Sequence, residues 1–315
     1  MKALWLEDRQ LSVRDVDPVR LEGEALVRID LSGVCGTDLE LVRGYYPYTG
    51  VLGHEFVGHV VESPDPAWIG KRVVGEINAS CGECPTCLAG RPTHCEQRTV
   101  LGIVARNGVH AEFASIPLAN LFEVPAEVPD DAAVFLEPIA AAVEILQQVS
   151  IGSRDRVLLV GAGRLGQLVA QVVATTGASL EVLARHDWQR ELLHSRAIDV
   201  IEPEAVAPDS YDIVIEATGS ASGLDQAIAA VRPRGILVLK STYADAVTVD
   251  LAPVVVNEIT VVGSRCGPFG PALELLAQGA VDPTGLIEAR YPLTEAVAAM
   301  EHAARRGAMK VLIQP

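Results

Sequence analysis

RVLLVGAGRLGQLVAQ, residues 156–171, stands near the middle of this 315-residue sequence and decides how its second half folds. Its first five residues, rich in Val and Leu, are typical of a buried parallel strand. A glycine loop, 161–166, follows at once, and an apolar helical pattern follows the loop. Gly161 permits a tight turn, Gly163 lets the backbone approach a pyrophosphate, and Gly166 lets the helix pack on the strand. The stretch therefore predicts a dinucleotide-binding loop, with a ligand-free glycine turn as the alternative.

Strand and helix patterns continue to alternate after this loop, which predicts a doubly wound parallel sheet and so an α/β fold. The phosphates of a nucleotide would meet the free N–H groups at the start of the first helix. The predicted strands are 157–160, 180–184, 200–201, 213–216, 236–239 and 259–263, and the predicted helices are 165–173, 189–195, 224–231 and 271–278.

The first part of the chain has a different pattern, in which short strands alternate with Gly, Pro and Asp turns. This pattern predicts an antiparallel, barrel-like domain. The predicted strands are 3–6, 11–16, 25–31, 56–61, 72–77, 111–116 and 121–124. One apolar helix over 130–149 should lead into the second half, and the tail should hold a helix over 295–305 and a strand over 310–313.

We therefore expect three parts: a first domain over 1–136 with a cysteine lobe at 81–95, a nucleotide-binding domain over 137–280, and a segment over 281–315 that returns to the first domain.

The charge of the chain restricts its partners. The net charge is −16 and the sequence pI is about 4.8, which argues against binding to nucleic acid or to an anionic membrane. The sequence has no long uncharged apolar stretch and no export signal at its start. We expect a soluble, cytoplasmic protein whose partner is a small molecule.

Four of the six cysteines are crowded into one short segment as Cys81, Cys84, Cys87 and Cys95. Four thiolates at this spacing suit a closed tetrahedral zinc site, which would be structural because no ligand position stays open. Crowded cysteines without an export signal favour a metal over disulfides. Four free thiols are the alternative.

A second set of candidate ligands is spread over the first domain. Cys35 and His54 each stand beside a glycine, and Glu137 interrupts an apolar run at a predicted helix start. A buried carboxylate is costly unless it is paired or bound to a cation. We interpret Glu137 as involved with a metal; the alternative is a charge that stabilises the helix N-terminus.

Six motifs occur together in one order: CGTD at 35–38, GHE at 53–55, the cysteine lobe, EP at 137–138, the glycine loop and EATG at 216–219. In this combination the chain resembles the zinc-dependent medium-chain dehydrogenase/reductase family over essentially its whole length. The resemblance implies a GroES-like catalytic domain, a Rossmann domain, and hydride transfer between NAD(P) and an alcohol or carbonyl at a catalytic zinc.

The resemblance also assigns roles to single residues. Cys35 and His54 match the two fixed ligands of the catalytic zinc. Liver-type alcohol dehydrogenases place a cysteine where this chain has Glu137, whereas the sorbitol, threonine and glucose dehydrogenase branch uses carboxylates. In that branch the glutamate after the histidine, here Glu55, can also bind the metal, so both glutamates stay candidates for the third ligand.

Two further residues match catalytic positions of the family. Thr37 is placed like the hydroxyl that takes the proton of the alcohol. Glu40 stands where many relatives have a histidine that relays the proton to water, so Glu40 either replaces that relay or is an acid on the helix surface.

The end of the second Rossmann strand favours NADP over NAD. An acid at this point usually binds the ribose hydroxyls of NAD, but here Ala184 is followed by Arg185, with Arg190 one helical turn on. Forked guanidinium donors suit a 2′-phosphate; the alternative is that Arg185 caps a surface loop. The remaining predicted cofactor contacts are Gly161, Gly163, Arg164, Leu165, Gly166, Ala217, Thr218, Lys240, Ser241 and Arg265, with a solvated strand-end lysine as the alternative for Lys240.

We expect an enzyme that acts on a secondary alcohol, a polyol or a sugar hydroxyl. An NADPH-dependent aldehyde reductase is the alternative within enzymes, and a non-catalytic redox sensor that binds nucleotide and zinc is the alternative outside them. The resemblance also implies a homodimer or homotetramer, assembled through an edge strand within 257–265.

Overall fold

The computed structural model describes residues 1–243 and 246–315 and divides into two compact units. The first unit comprises Met1–Glu137 and Leu286–Pro315, and the second comprises Pro138–Gly285. Within the described residues, no helix has the length and apolar character that crossing a bilayer requires.

Short strands dominate the first 137 residues, as their alternating pattern predicts. They are β1 (Lys2–Glu7), β2 (Gln10–Asp15), β3 (Glu24–Gly33), β4 (Gly50–Val51), β5 (Glu55–Glu62), β6 (Arg72–Gly75), β7 (Asn78–Ala79), β8 (Thr99–Leu101), β9 (Ala105–Arg106), β10 (Phe113–Pro117) and β11 (Leu121–Glu123). Three helices accompany them: α1 (Gly36–Arg43), α2 (Pro85–Leu88) and α3 (Asp130–Ala133).

The second unit alternates strand and helix. Its strands are β12 (Arg156–Val160), β13 (Ser179–Leu183), β14 (Asp199–Ile201), β15 (Tyr211–Glu216), β16 (Val231–Leu239) and β17 (Thr260–Gly263). Its helices are α4 (Leu136–Gln148, which begins two residues before the unit), α5 (Arg164–Ala174), α6 (Asp187–His194), α7 (Ala221–Ala230), α8 (Ala252–Val256) and α9 (Phe269–Ala277). The tail adds β18 (Ile287–Pro292), α10 (Ala296–Ala303) and β19 (Lys310–Gln314).

The expectation of one helix over 130–149 is wrong. The chain forms α3 and α4 with a break around residues 134–135. Pro138 has no N–H with which to bond the carbonyl of Val134, so one helix cannot run through this point. Phe135 instead donates to the carbonyl of Ala132 at 3.1 Å, a tighter turn than that of an α-helix.

Antiparallel pairing in the first unit brings distant segments together. Its largest sheet has the order β11-β6-β5-β3-β19-β18, and β10 also pairs with β3. In this sheet Gly33 of β3 lies opposite Glu55 of β5, and Leu312 of β19 lies opposite Gly33. The end of β3, the start of β5 and the start of β19 are therefore neighbours.

The second unit is a six-stranded parallel sheet in the order β14-β13-β12-β15-β16-β17. This is a doubly wound order: β13 and β14 extend the sheet on one side of β12, and β15, β16 and β17 extend it on the other side. The glycine loop follows β12, so it lies at the switch point where such sheets bind nucleotides. The predicted fold class, a Rossmann sheet together with a GroES-like domain, is confirmed.

Candidate metal centres and cofactor site

Three potential metal ligands meet in the first unit at the ends of two strands. Cys35 follows β3 and is the N-cap of α1, while His54 and Glu55 stand at the start of β5. Their ligand atoms all lie within 4.8 Å of one another. The pairing of Gly33 with Glu55 causes this meeting, because it sets the residues that follow β3 beside those that open β5.

The chemistry of this cluster, Cys35, His54 and Glu55, fits zinc. A thiolate, an imidazole and a carboxylate are the ligand types that zinc takes in proteins, and three protein ligands leave a fourth position open for a substrate. His54 and Glu55 are 2% and 1% exposed. A carboxylate and an imidazole so deeply buried need partners, and a cation between them supplies one.

Asp38, in the first turn of α1, ties the two ligand segments together. Its Oδ2 accepts a hydrogen bond from the backbone N–H of Cys35 at 2.8 Å, and its Oδ1 accepts one from Gly53 at 3.3 Å. His54 Nδ1 lies 3.5 Å from the same carboxylate. Burial alone would raise the pKa of Asp38, but the imidazoles of His54 and His110 hold it well below its usual range.

The protonation of His54 depends on the same neighbours. Burial tends to lower its pKa, whereas the negative charges of Asp38 and Cys35 raise it overall. The cluster therefore attracts positive charge at the imidazole, and a metal ion can take the place of that proton.

Lys310, which the sequence analysis missed, completes the surroundings of Glu55. Its Nζ forms a buried ion pair with Glu55 Oε2, donates to the carbonyl of Val34 at 3.3 Å, and lies 5.3 Å from the centre of the Phe135 ring. Lys310 is 3% exposed. The available signal was a lysine directly before an apolar strand, in a chain with only four lysines.

Glu137, the other candidate for the third ligand, lies in the first turn of α4 and is half-buried. It is outside the set of ligand atoms that lie within 4.8 Å of one another. Among the described residues, the structure thus brings Glu55, but not Glu137, into the cluster with Cys35 and His54.

The two predicted proton-handling residues have different surroundings. Thr37 Oγ1 lies 3.7 Å from Cys35 Sγ, which places its hydroxyl beside the metal cluster. Glu40 forms a 2.5 Å ion pair with Arg43 one turn further along α1. This pairing favours the alternative in which Glu40 is an acid on the helix surface.

The four crowded cysteines form a second cluster around α2. Sulfur–sulfur distances are 3.5 Å for Cys81–Cys95, 3.8 Å for Cys84–Cys95 and 4.0 Å for Cys81–Cys87. A tetrahedral zinc with Zn–S bonds of about 2.3 Å separates its sulfurs by about 3.8 Å. The lobe already has the dimensions of a closed zinc site.

Backbone N–H groups support thiolates in this lobe. The N–H groups of Glu96 and Cys87 lower the pKa of Cys84 to about 6, while burial and the neighbouring cysteines raise that of Cys87 to about 12. Backbone donors also reach Cys95, from Cys81 at 3.4 Å and from Gln97 at 3.3 Å. A zinc ion bound in the lobe would hold the cysteines as thiolates.

The glycine loop of the second unit has the geometry that a dinucleotide requires. Gly161 has a φ of +106°, and a Cβ there would lie 2.7 Å from a Thr218 methyl carbon. A Cβ on Gly166 would lie 2.1 Å from the carbonyl oxygen of Gly161, which explains the close packing of helix on strand. A Cβ on Gly163 would meet open space, so the backbone of this residue, the N-cap of α5, is accessible to a phosphate. Arg164 and Leu165 form the first turn of α5.

The segment after β13 distinguishes the two arginines predicted to bind the cofactor. Ala184 is buried and Arg185 is exposed, and the backbone N–H of Arg185 donates to Gln189 Oε1 at 3.0 Å. Arg190 is held in an ion pair with Glu202. Arg185 is therefore the better candidate for a phosphate contact.

A buried carboxylate shapes the loop after β15. Glu216 is fully buried and accepts hydrogen bonds from the backbone and hydroxyl of Thr218, at 2.6 and 2.5 Å, from Gly219 N at 3.1 Å and from Tyr243 OH at 2.7 Å. These bonds hold the 217–219 turn, with Ala217 half-buried and Thr218 exposed, at the carboxyl edge of the sheet.

Lys240 at the end of β16 is buried, so the alternative of a solvated strand-end lysine is wrong. It is 7% exposed, and its Nζ donates to Ser264 Oγ at 3.2 Å and to the carbonyl of Arg265 at 3.3 Å. The Arg265 side chain is exposed, and Ser241 is half-buried beside Gly219. Lys240 thus joins the ends of β16 and β17 at the edge where the cofactor contacts were predicted.

Comparisons with known proteins agree with this arrangement. The model of the alcohol dehydrogenase GroES-like domain matches residues 21–126, and the model named zinc-binding dehydrogenase matches residues 165–278. L-threonine 3-dehydrogenase of Streptomyces coelicolor is 30% identical over 99% of both chains. D-arabinitol dehydrogenase 1 of Uromyces fabae is 29% identical over 100% of this chain and 97% of its own length.

Solved structures show the same fold with a bound cofactor. A zinc-binding dehydrogenase of Sinorhizobium meliloti 1021, solved with NADP, is 30% identical, with a TM-score of 0.91 over 100% of this chain and 99% of its own. An alcohol dehydrogenase of Escherichia coli CFT073, solved with NADH, is 27% identical, with a TM-score of 0.90 over the same shares.

These similarities and the two clusters define a class: this chain belongs to the zinc-dependent medium-chain dehydrogenase/reductase family. It is an oxidoreductase of the zinc-dependent, nicotinamide-dependent alcohol dehydrogenase type.

We predict that the cysteine lobe holds a zinc of its own. Replacing Cys87 with serine should remove one zinc per chain and lower the melting temperature, because three thiolates bind zinc less tightly than four. Elemental analysis of purified protein with a thermal melt measures both. A Cys266→Ser variant is the matched control and should keep the wild-type zinc content; retention of that content by Cys87→Ser would contradict the prediction.

Proposed function

We propose that the protein oxidises a secondary alcohol, a polyol or a sugar hydroxyl with NADP as the hydride acceptor, at a zinc site built on Cys35 and His54. The observation that carries this proposal is the cluster of Cys35, His54 and Glu55, whose ligand atoms lie within 4.8 Å of one another. D-arabinitol dehydrogenase 1 and L-threonine 3-dehydrogenase are relatives whose names denote hydroxyl substrates of this class, which supports the substrate class proposed for this chain.

Within the cluster we assign the third ligand to Glu55, because Glu55 lies among the ligand atoms and Glu137 lies outside them. A carboxylate has two oxygens, and Lys310 pairs with Oε2, which leaves Oε1 for a metal. Zinc bound here supplies a Lewis acid that lowers the pKa of a substrate hydroxyl.

The residues around the cluster then handle the substrate proton. The Thr37 hydroxyl lies 3.7 Å from the Cys35 sulfur, so it can accept a hydrogen bond from a substrate hydroxyl held at the cluster and take its proton while it releases its own proton to solvent. Glu40 is paired with Arg43, so we do not assign it a relay role.

The second unit carries the hydride acceptor in this proposal. The accessible backbone of Gly163 and the N-terminus of α5 would bind the pyrophosphate. The 217–219 turn held by Glu216, together with Ser241, would line the carboxyl edge of the sheet where the rest of the nucleotide binds. A bound nicotinamide supplies the carbon that accepts the hydride.

Loss of one ligand tests the proposed chemistry. A Cys35→Ser variant should lose nearly all turnover of secondary alcohols and polyols while its circular dichroism spectrum stays unchanged, because the cluster loses its thiolate. The assay is NADPH formation over a panel of alcohols, polyols and sugars, with Cys266→Ser as the matched control. Normal turnover by zinc-depleted protein would overturn the proposal, and reduction of aldehydes far faster than oxidation of any alcohol would favour an aldehyde reductase.

The preference for NADP rests on Arg185. Its exposed guanidinium follows β13, whereas Arg190 is engaged with Glu202. The S. meliloti relative was solved with NADP and the E. coli relative with NADH, so relatives of this chain occur with either cofactor.

We predict that an Arg185→Ala variant loses about tenfold or more in kcat/KM for NADP, since a charged hydrogen bond to a phosphate is lost. Its kcat/KM for NAD should change little. Steady-state kinetics with both cofactors measures this, and Arg154→Ala, an exposed arginine before β12, is the control. A kcat/KM of the wild-type protein that is tenfold higher for NAD than for NADP would contradict the proposed preference for NADP.

We also propose that the chain assembles as a homodimer or homotetramer through β17, one of the two edge strands of the six-stranded sheet. Val261 in this strand is 44% exposed, and Val255 and Val256 in the neighbouring α8 are 75% and 78% exposed. An unprotected edge strand beside exposed valines is suited to pairing with a second copy.

A charge on this edge should separate the copies. We expect Val261→Lys to shift the protein from dimer or tetramer to a smaller species, measured by size-exclusion chromatography with light scattering. Ile69→Lys, a similar change at an exposed residue of the first unit, should leave the mass unchanged. A monomeric wild-type protein would exclude this assembly.

A further inference from the structure

Asp38 lies between two buried histidines. One is His54, the candidate zinc ligand, whose Nδ1 is 3.5 Å from Asp38 Oδ1. The other is His110, whose Nε2 is 3.5 Å from Asp38 Oδ2. Asp38 and His110 are both fully buried, so neither group is in contact with bulk solvent. In the described part of the chain, neither of these two ring nitrogens makes a hydrogen bond, and the Asp38 carboxylate lies 3.5 Å from each of them.

The carboxylate of Asp38 favours the tautomer of His110 that carries its proton on Nε2. Ser32 Oγ lies 2.9 Å from His110 Nδ1 and 3.4 Å from the carbonyl oxygen of Ile313. When the hydroxyl donates to Nδ1, the shorter of these contacts, the proton of a neutral imidazole is on Nε2 and points at Asp38. The opposite tautomer would direct a lone pair at a carboxylate, which is unfavourable.

The backbone holds His110 in this position. His110 N donates to the carbonyl of Leu52 at 2.9 Å, and Leu4 N donates to the carbonyl of His110 at 2.8 Å. Its ring lies directly on Gly53, where a Cβ would come within 2.6 Å of the ring carbon Cγ and where φ is +94°. The imidazole therefore packs against the residue that precedes the zinc ligand His54.

We propose that His110 is a positioning residue of the catalytic metal site, which acts through Asp38 on His54. A row of hydrogen-bonding groups runs from the Ser32 hydroxyl through His110 and Asp38 to His54 Nδ1, leaving His54 Nε2 for the metal. Partners of this kind fix the orientation of a ligand imidazole and raise its basicity. The inference rests on the zinc site of the proposed function.

The carboxylate of Asp38 has room for about four donors. Backbone N–H groups of Cys35 and Gly53 occupy two of these positions, and the imidazoles of His54 and His110 face the other two. Without His110, Asp38 keeps a buried charge with one donor fewer and can turn within the pocket. The distance and angle between Asp38 and His54 then lose a restraint.

Metal release tests this inference without relying on turnover. Zinc-loaded wild-type protein, with both clusters filled, is mixed with a colorimetric zinc chelator, and the zinc of the cysteine lobe serves as an internal reference. We expect His110→Phe, which keeps the ring volume without a donor, to release the catalytic zinc about tenfold or more faster, with lobe release unchanged. His110→Gln, whose amide can donate from a place near that of Nε2, should restore slow release.

Cobalt substitution supplies a second readout. Co²⁺ at the catalytic cluster absorbs visible light through its thiolate and d–d transitions, so a turned His54 changes the spectrum. His110→Phe should shift these bands, while His110→Gln should resemble wild type. If His110→Phe fails to fold, Ser32→Ala, which removes only the hydroxyl in contact with His110 Nδ1, should show the same changes to a smaller degree.

The outcomes separate the two proposals. Wild-type release kinetics and cobalt spectra in His110→Phe and Ser32→Ala, with at most a lower melting temperature, would overturn the positioning role and leave the zinc site intact. A wild-type protein that binds zinc in the cysteine lobe alone would instead overturn the proposed function.

Discussion

The cluster of candidate metal ligands in the first unit depends on one buried charge, the carboxylate of Asp38. A carboxylate with no exposed surface is strongly unfavourable unless donors surround it, and here the donors come from the segments that carry the ligands. Its two oxygens bond the backbone of Cys35 and of Gly53, so the spacing between the thiolate and the His54 imidazole follows from one rigid group. The pairing of β3 with β5 brings these segments together, and Asp38 fixes their final geometry. Ligands held in this way need little rearrangement when a metal or substrate binds.

The two clusters of candidate metal ligands show two ways of building a site. The cysteine lobe is local: its ligands lie within 15 residues, and neighbouring backbone N–H groups stabilise its thiolates. The geometry of the lobe therefore depends mainly on contacts within its own segment. The cluster of Cys35, His54 and Glu55 is assembled from separate strands and supported by Lys310 from the tail. A buried pair of this kind adds little net stability, because the cost of removing both charges from water offsets their attraction.

This difference explains what could be predicted from the sequence. The Rossmann sheet was predictable because apolar strand runs, a glycine loop and helical patterns are local signals, and the cysteine lobe was predictable from spacing alone. Lys310 and His110 were not, because each acts on residues far away in the sequence that become neighbours only through strand pairing. One local signal was misleading, because the apolar run at 130–149 predicted a single helix, whereas Pro138 divides it into two.

The first unit is discontinuous in sequence, and this determines the order in which its parts can fold during translation. Its strand β19, which carries Lys310, is separated from residues 1–137 by the 138–285 segment. At translation rates of about 5–20 residues per second, that segment takes on the order of 10 to 30 seconds to make. During this interval the nascent first unit has Glu55 but not the ammonium group that neutralises it. The four cysteines of the lobe need nothing made later, so they can come together first, while the cluster of Cys35, His54 and Glu55 acquires its final charge balance only when Lys310 joins the sheet.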